Sequence, residues 1–247
     1  LFSTPAIAIN RSREVAKEMA FTSMNAIKQA FELIHNYDES KVEKVKDAEH
    51  QTDMYEDALG TYLVKLSSQS LSADDSTEAA KILFLIGEFE RIADYAMDIT
   101  ESAQEIYDKN IVFSEPAQKE LDVMIAAVDE VVEKAIKAFT EDDLALASKV
   151  DPLEEVIDDL KSTIKKQHVT RLQSNECTIG MGFVFSDLLT VLERISDHCS
   201  NIAGCVIEMS HDSMNMHDYL YKAKHDPNSD FVQQYKEYSV KYALTRD

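Results

Sequence analysis

The stretch ERISDHCSNI, residues 193 to 202, decides the fold, because a close copy of it occurs earlier in the chain. The copy is ERIADYAMDI, residues 90 to 99, with Glu, Arg, Ile, Asp and Ile at matched places, 193 − 90 = 103 residues away. A weaker pair lies upstream of each: EHQTD (49 to 53) and EEVID (154 to 158) both hold an acid, three spacers and Asp. Similarity repeated at a fixed spacing indicates a duplicated structural unit.

Composition indicates that the duplicated units are helical. Gly occurs 5 times and Pro 4 times in 247 residues, and the segments between them are rich in Ala, Glu, Lys, Leu and Ile at three-to-four spacing. Breaks are expected near residues 36–40, 67–76, 108–116, 140–143, 173–177 and 209–215. These breaks leave about six helices, each roughly 40 Å long, which suits elongated bundles.

The expected fold class is therefore all-α, with two tandem three-helix bundles instead of one large core. The first three-helix repeat covers residues 1–110 and the second covers 111–212. A Tyr-rich tail with five acidic and five basic residues, expected to be helical over a short length, follows at 213–247.

Charge and cysteine content exclude some classes of partner. The chain has 46 acidic and 25 basic residues, a formal net charge of −21, so a nucleic-acid backbone would be repelled and cations attracted. Solubility alone also explains such a charge. Three cysteines without a CxxC spacing indicate a reducing, cytoplasmic compartment. No apolar run reaches the roughly 18 residues that a membrane-spanning helix needs, so we expect no direct span.

The repeated motifs align oxygen-bearing side chains on single helix stripes. Glu193, Asp197 and Asn201 recur every fourth residue and lie away from the apolar stripe that contains Ile195 and Ile202. Lysine is missing from the compensating positions of this helix, so water or a cation is expected to neutralise the acids. Composition alone supplies about eight acid pairs at this spacing, and a solvated surface stripe remains the alternative.

Antiparallel packing of the second and third helices of each unit would create one metal site per bundle. Carboxylate and amide oxygens suit Mg²⁺, Mn²⁺, Ca²⁺ or iron. The first expected set is Glu49, Asp53, Glu90, Asp94 and Asp98, and the second is Glu154, Asp158, Glu193, Asp197 and Asn201. Because Asn201 stands where the first set has Asp98, the first site is expected to be the more anionic.

Catalytic motifs are absent from the sequence. A carboxylate-bridged oxidase needs Glu-xx-His, but Thr52, Ala93, Ile157 and Ser196 stand three residues after the motif glutamates. HExxH, GxSxG, GxGxxG and Walker loops do not occur either. We therefore expect a protein that is not an enzyme, and His198 is expected to be a satisfied or exposed histidine.

At these motifs the sequence resembles the PhoU family, most specifically in ERIADYAMDI and in GFVFSDLLTVLERISDHCSNIA (182 to 203). The resemblance covers most of residues 15 to 210. It implies two three-helix bundles, iron or zinc clusters held by the ten motif residues, and a role in phosphate-transport regulation.

The two ends of the chain suggest a transporter context. Residues 4 to 21 (TPAIAINRSREVAKEMAF) and 217 to 244 (HDYLYKAKHDPNSDFVQQYKEYSVKYAL) resemble the cytoplasmic C-terminal part of sodium/phosphate cotransporter proteins. This implies a regulatory domain at the cytoplasmic face of the cell membrane, with a membrane-embedded transporter domain preceding residue 1. The alternatives are a stand-alone phosphate-signalling adaptor of an importer or sensor kinase, and a purely structural dimerisation module. A homodimer is left open.

Overall fold

The helices begin and end close to the breaks expected from the sequence. The computed structural model describes residues 4–210 and 229–244, and no strand occurs among them. The first bundle contains α1 (Pro5–His35), α2 (Glu39–Ser67) and α3 (Ala73–Asp108). The second contains α4 (Glu115–Thr140), the short α5 (Leu144–Ala147), α6 (Val150–Gln173) and α7 (Ile179–Ser210). The all-α fold of two three-helix bundles is confirmed.

The C-terminal tail is helical in the part that the structure describes. A final helix, α8 (Asp230–Lys241), packs against α6. It buries Tyr238 and places the Tyr235 hydroxyl against Asp159, and Tyr242, directly after the helix, is also buried. The rest of the predicted tail, at 213–228 and 245–247, lies outside the described residues.

Side-chain caps mark the starts of long helices, and residues with left-handed backbone conformation follow the ends of others. Ser72 accepts a hydrogen bond from the Asp75 amide at 3.1 Å, and Ser114 accepts one from the Ala117 amide at 3.4 Å. These oxygens satisfy amides that have no partner within the first helical turn. Asn110 and Asn175 adopt φ values of 50° and 58° after α3 and α6, a conformation that Asn tolerates better than most residues.

The buried side chains of the two bundles form one continuous cluster. The prediction of a separate core in each bundle is therefore wrong. Phe89 of α3 and Phe139 of α4 are fully buried, with ring centroids 5.3 Å apart. Each long helix contributes an apolar stripe, and the stripes of α3 and α7 face each other across the two units. Duplication therefore produces one shared core.

Polar contacts join the bundles along two seams. In the first, Lys28 of α1 lies 3.2 Å from both Asp129 and Glu133 of α4. In the second, Lys81 of α3 donates to the Glu208 carbonyl oxygen at 2.7 Å, and Glu88 contacts His198. Residue numbers rise on α3 as they fall on α7, so these two motif helices are antiparallel. None of the described helices is both long and apolar enough to cross a membrane.

Candidate metal centre

Three carboxylates of the second bundle meet at the surface between α6 and α7. Glu154 and Asp158 lie one turn apart on α6, and Asp197 projects from α7. One oxygen of each lies within 4.8 Å of the others. Among the described residues this is the one trio of acidic, His or Cys side chains so close together. Convergent carboxylate oxygens suit a hard divalent cation or iron, so this donor set fits a metal ion.

The ionised form of this trio is electrostatically unfavourable in the absence of a cation. Burial, followed by repulsion from Asp158 and neighbouring acids, raises the pKa of Glu154 to about 8. Burial and the charge of Glu193 also raise the pKa values of Asp158 and Asp197. Carboxylates resist ionisation when other negative charges lie close by. A bound cation would supply the missing positive charge.

Glu193 has a lysine partner, and the expectation that no lysine would neutralise the stripe is wrong. Lys161 lies 2.6 Å from Glu193. The lysine belongs to α6, whereas only the compensating positions on the same helix can be read from the spacing in the sequence. The charge of Lys161 also opposes the rise in the pKa of Asp158 and of Asp197, so this lysine lies beside the carboxylate trio as well as beside Glu193.

Asn201 contacts the other bundle. Its side-chain amide donates to Glu88 of α3 at 3.2 Å, and Nδ1 of His198 lies 2.6 Å from the same carboxylate oxygen. The arrangement that we expected, with Asn201 facing Glu154 and Asp158, is replaced by a contact between the bundles. His198 is a satisfied histidine, as expected.

The acids of the first bundle form a looser group. Glu49 and Asp53 lie on α2, and Glu90, Asp94 and Asp98 lie on α3. The pKa of Glu49 is raised by burial and then by the charges of Asp94 and Asp53. Burial and Asp94, which shares a hydrogen bond with Glu90, raise the pKa of Glu90 to about 7. The effect of Asp94 on Glu49 shows that α2 and α3 bring these two predicted residues near each other.

Asp98 lies at the border between the bundles. Burial and the charges of Glu101 and Asp94 raise its pKa, while the positive charge of Arg194, on α7, opposes the rise. The more anionic first set is thus less closely gathered than the second and lies near a cation from the other half. The first set has one more carboxylate than the second, but its oxygens do not converge as those of Glu154, Asp158 and Asp197 do.

The sequence did not reveal the residues that fix this geometry. Glu88, Lys161 and His198 contact motif residues or one another. Glu88 and His198 are 110 residues apart in the sequence, and Lys161 is 32 residues from its partner Glu193. Glu88 stands two residues before a motif glutamate, but nothing in its spacing points to a histidine on another helix. These three residues are identified by the contacts between helices in the structure.

Comparison with known families agrees with this architecture. A family model described as the PhoU domain matches residues 16–103 and 121–206, once in each bundle. The phosphate-specific transport system accessory protein PhoU homolog 1 of Thermotoga maritima is 30% identical over 139 residues, 56% of this chain and 59% of that protein. The chain thus spans less than two thirds of that relative. The accessory protein PhoU of Edwardsiella tarda is 25% identical over 174 residues, 70% of each chain.

Solved structures share the fold. The phosphate transport system regulatory protein PhoU from Streptococcus pneumoniae superposes with a TM-score of 0.74 at 14% identity, over 86% of this chain and 100% of that one. PhoU from Pseudomonas aeruginosa superposes with a TM-score of 0.67 at 22% identity, over 83% and 95% of the two chains. The family match covers most of both bundles, including the four motif segments, and the chain belongs to the PhoU family.

Proposed function

We propose that this chain is a PhoU-type regulator of phosphate transport that binds metal ions on its duplicated acidic motifs. The observation that carries the metal-binding part is the convergence of Glu154, Asp158 and Asp197 oxygens within 4.8 Å. The names of the relatives support the phosphate-transport part. Regulation, with no catalytic step, agrees with the absence of catalytic motifs from the sequence.

The comparisons favour a stand-alone accessory protein in the cytoplasm. The curated relatives are named as accessory proteins of phosphate-specific transport systems, and this chain covers nearly the whole of two solved PhoU structures. In this form the chain would bind a phosphate importer or its sensor kinase. The two-bundle surface would serve as the binding module.

Metal ions would act structurally at these sites. In the second bundle Glu154, Asp158 and Asp197 would hold the ion, and Glu193 would join them only by releasing Lys161. In the first, the proposed ligands are Glu49, Asp53, Glu90, Asp94 and Asp98. A cation of iron, zinc, manganese or magnesium would neutralise the repelling carboxylates and cross-link two helices. Asn201 would stay with Glu88.

A regulatory domain of a sodium/phosphate cotransporter is the second candidate, favoured by α8. This helix begins at Asp230, beyond residue 206, where the family match ends. It belongs to the segment that resembles the transporter proteins. In this form a membrane-embedded domain would precede residue 1. The coding sequence upstream of Leu1 distinguishes the two: apolar spans support the transporter, and a start codon supports the accessory protein.

Metal analysis tests the binding role. We expect protein purified without chelators to contain metal, and the double variant Asp94→Ala, Asp197→Ala to lose most of it. Asp129→Asn, which changes an acid of the α1–α4 seam, should keep the metal content of the wild type. Equal metal in the double variant and the wild type would contradict the proposal.

Phosphate uptake tests the regulatory role. Cells that lack the gene should show altered uptake, and a plasmid copy should restore it. The Asp94→Ala, Asp197→Ala copy should restore it poorly at equal protein level. Uptake that does not respond to deletion would argue against regulation, independently of the metal result.

A further inference from the structure

Bulky apolar side chains lie exposed where α6 ends and α7 begins. Ile179 is 74% exposed and Phe183 is 66% exposed, and their spacing of four residues places both on one stripe of α7. Val169 of α6 is 44% exposed. It follows His168, whose Nε2 lies 3.1 Å from the Gly182 carbonyl oxygen, so Val169 lies level with Phe183.

Two lysines adjoin this apolar group. Lys165 and Lys166 are exposed and precede Val169 by four and three residues, which makes them its neighbours on the helix surface. Within residues 4–210 and 229–244 neither has an ion-pair partner, in contrast to Lys161, which pairs with Glu193. Glu176 is the one acid in the intervening turn. We call Lys165, Lys166, Val169, Ile179 and Phe183 the α6–α7 tip.

The size and shape of the α6–α7 tip fit a lipid surface better than a protein. A stable protein interface buries about 800 Å² on each side, more than three exposed apolar side chains provide. The tip also lies at the end of a helical hairpin, a position from which its side chains can contact a flat surface such as a bilayer. Bulky apolar residues beside lysines are typical of segments that enter the headgroup region of a bilayer.

We propose that the α6–α7 tip is a membrane-contact surface for bilayers that contain anionic lipids. Ile179 and Phe183 enter the boundary between headgroups and acyl chains, while Lys165 and Lys166 contact lipid phosphate groups. Glu176 and Asp187 are exposed beside the α6–α7 tip, and salt screens the more distant acids over about 8 Å at physiological ionic strength. This inference goes beyond the proposed function and requires neither metal nor phosphate.

The corresponding hairpin of the first bundle is unsuited to this role. Val64 is 58% exposed there, but Asp74 and Asp75 occupy the first turn of α3. Because α3 and α7 are antiparallel, the two hairpin ends lie at opposite ends of the molecule. Of these two hairpin ends, the α6–α7 tip is the one expected to contact a membrane.

Tryptophan fluorescence tests the proposal, because the chain contains no Trp. Phe183→Trp places a single reporter on the α6–α7 tip. Phe84→Trp is the matched control: Phe84 is 48% exposed and lies near Ser200 and Gly204, roughly 25 Å along α7 from the tip. Each variant is mixed with vesicles of phosphatidylcholine, with or without phosphatidylglycerol.

We expect the emission of Phe183→Trp to shift to shorter wavelength with phosphatidylglycerol vesicles, while the emission of Phe84→Trp stays unchanged. Adding Lys165→Glu and Lys166→Glu should weaken the apparent affinity by roughly tenfold or more. Adding Ile179→Ser should also weaken it. Because all these positions are exposed, we expect each variant to fold, and circular dichroism checks that it does.

Three results would overturn the proposal. One is a Phe183→Trp emission that neither kind of vesicle changes. Another is an equal shift in Phe84→Trp, which would mean non-specific adsorption. The third comes from sedimentation velocity: if the wild type is a dimer that Ile179→Ser with Phe183→Ser converts to a monomer, the tip is a contact between copies of the chain.

Discussion

Glu154 lies half-buried beside two other carboxylates, and its surroundings change its acid–base behaviour. Its pKa rises to about 8 from an ordinary value of 4.5, first through burial and then through the charges of Asp158, Glu155 and other acids. The folded chain therefore retains a proton that the unfolded chain releases above about pH 4.5. Unfolding releases this proton throughout the window between the two values.

This proton sets the direction of a pH effect on stability. A raised carboxyl pKa contributes stability that is complete below about pH 4.5 and is lost as the pH rises toward 8. We expect the melting temperature of chelator-treated protein to fall by a few degrees over this range, and Glu154→Gln to reduce the fall. The exposed control Glu14→Gln should behave as the wild type does. An unchanged pH dependence in Glu154→Gln would contradict the assignment.

Individual residues also show what could be predicted from the sequence. The motif spacing identified Glu154, Asp158 and Asp197, because residues four apart share a helix stripe whatever the partner helix is. It could not identify the buried pair of Arg171 and Glu120, joined at 2.9 and 2.7 Å. These two residues are 51 positions apart, and either would read as ordinary surface charge.

Among the helices, α8 is attached differently from the rest. The long helices bury continuous apolar stripes, whereas α8 buries one residue, Tyr238, and Tyr242 is buried directly after it. Two tyrosine hydroxyls reach carboxylates of the second bundle: Tyr235 donates to Asp159 and Tyr242 to Glu130. Burial and the charges of Glu130 and Glu237 raise the pKa of Tyr238 to about 12. The helix is thus held by a few aromatic anchors.

Removing one anchor should release α8 alone. Tyr238 is 9% exposed, and truncating a buried aromatic side chain typically costs about 3 to 5 kcal/mol. We expect Tyr238→Ala to abolish the slow amide hydrogen exchange of α8 while α4 and α6 keep their protection. Val240→Ala is the control, because Val240 is 79% exposed. Loss of protection throughout the second bundle would mean that α8 is an integral part of its fold.

The whole molecule has one continuous core despite its duplicated sequence. Phe89 and Phe139 join the bundles through buried ring contact, and Arg13 of α1, which also pairs with Glu78 of its own bundle, contacts Asp142 across the same border. The repeat in the sequence predicts two units, and the structure contains them. Their fusion into one core could not be predicted, because the apolar stripes do not reveal which helix of the other unit they face.

A shared core predicts cooperative unfolding. We expect calorimetry to show a single transition, with the calorimetric enthalpy equal to the van't Hoff enthalpy. Phe89→Ala should lower the melting temperature and broaden or split the transition, since it removes contact between the bundles. The exposed control Phe84→Ala should leave one sharp transition. Two resolved transitions in the wild type would show that the bundles unfold independently.

The contact between Tyr95 and His198 has a consequence for symmetry. The two rings lie 5.5 Å apart, and the positions are equivalent in the two repeats, since 198 − 95 = 103. A residue that touches its own equivalent lies on a two-fold axis, as in a dimer of identical subunits. The border between the halves therefore has the geometry of a homodimer interface within one polypeptide. Fusion into one chain allows the axis to hold two different rings, which identical subunits could not provide.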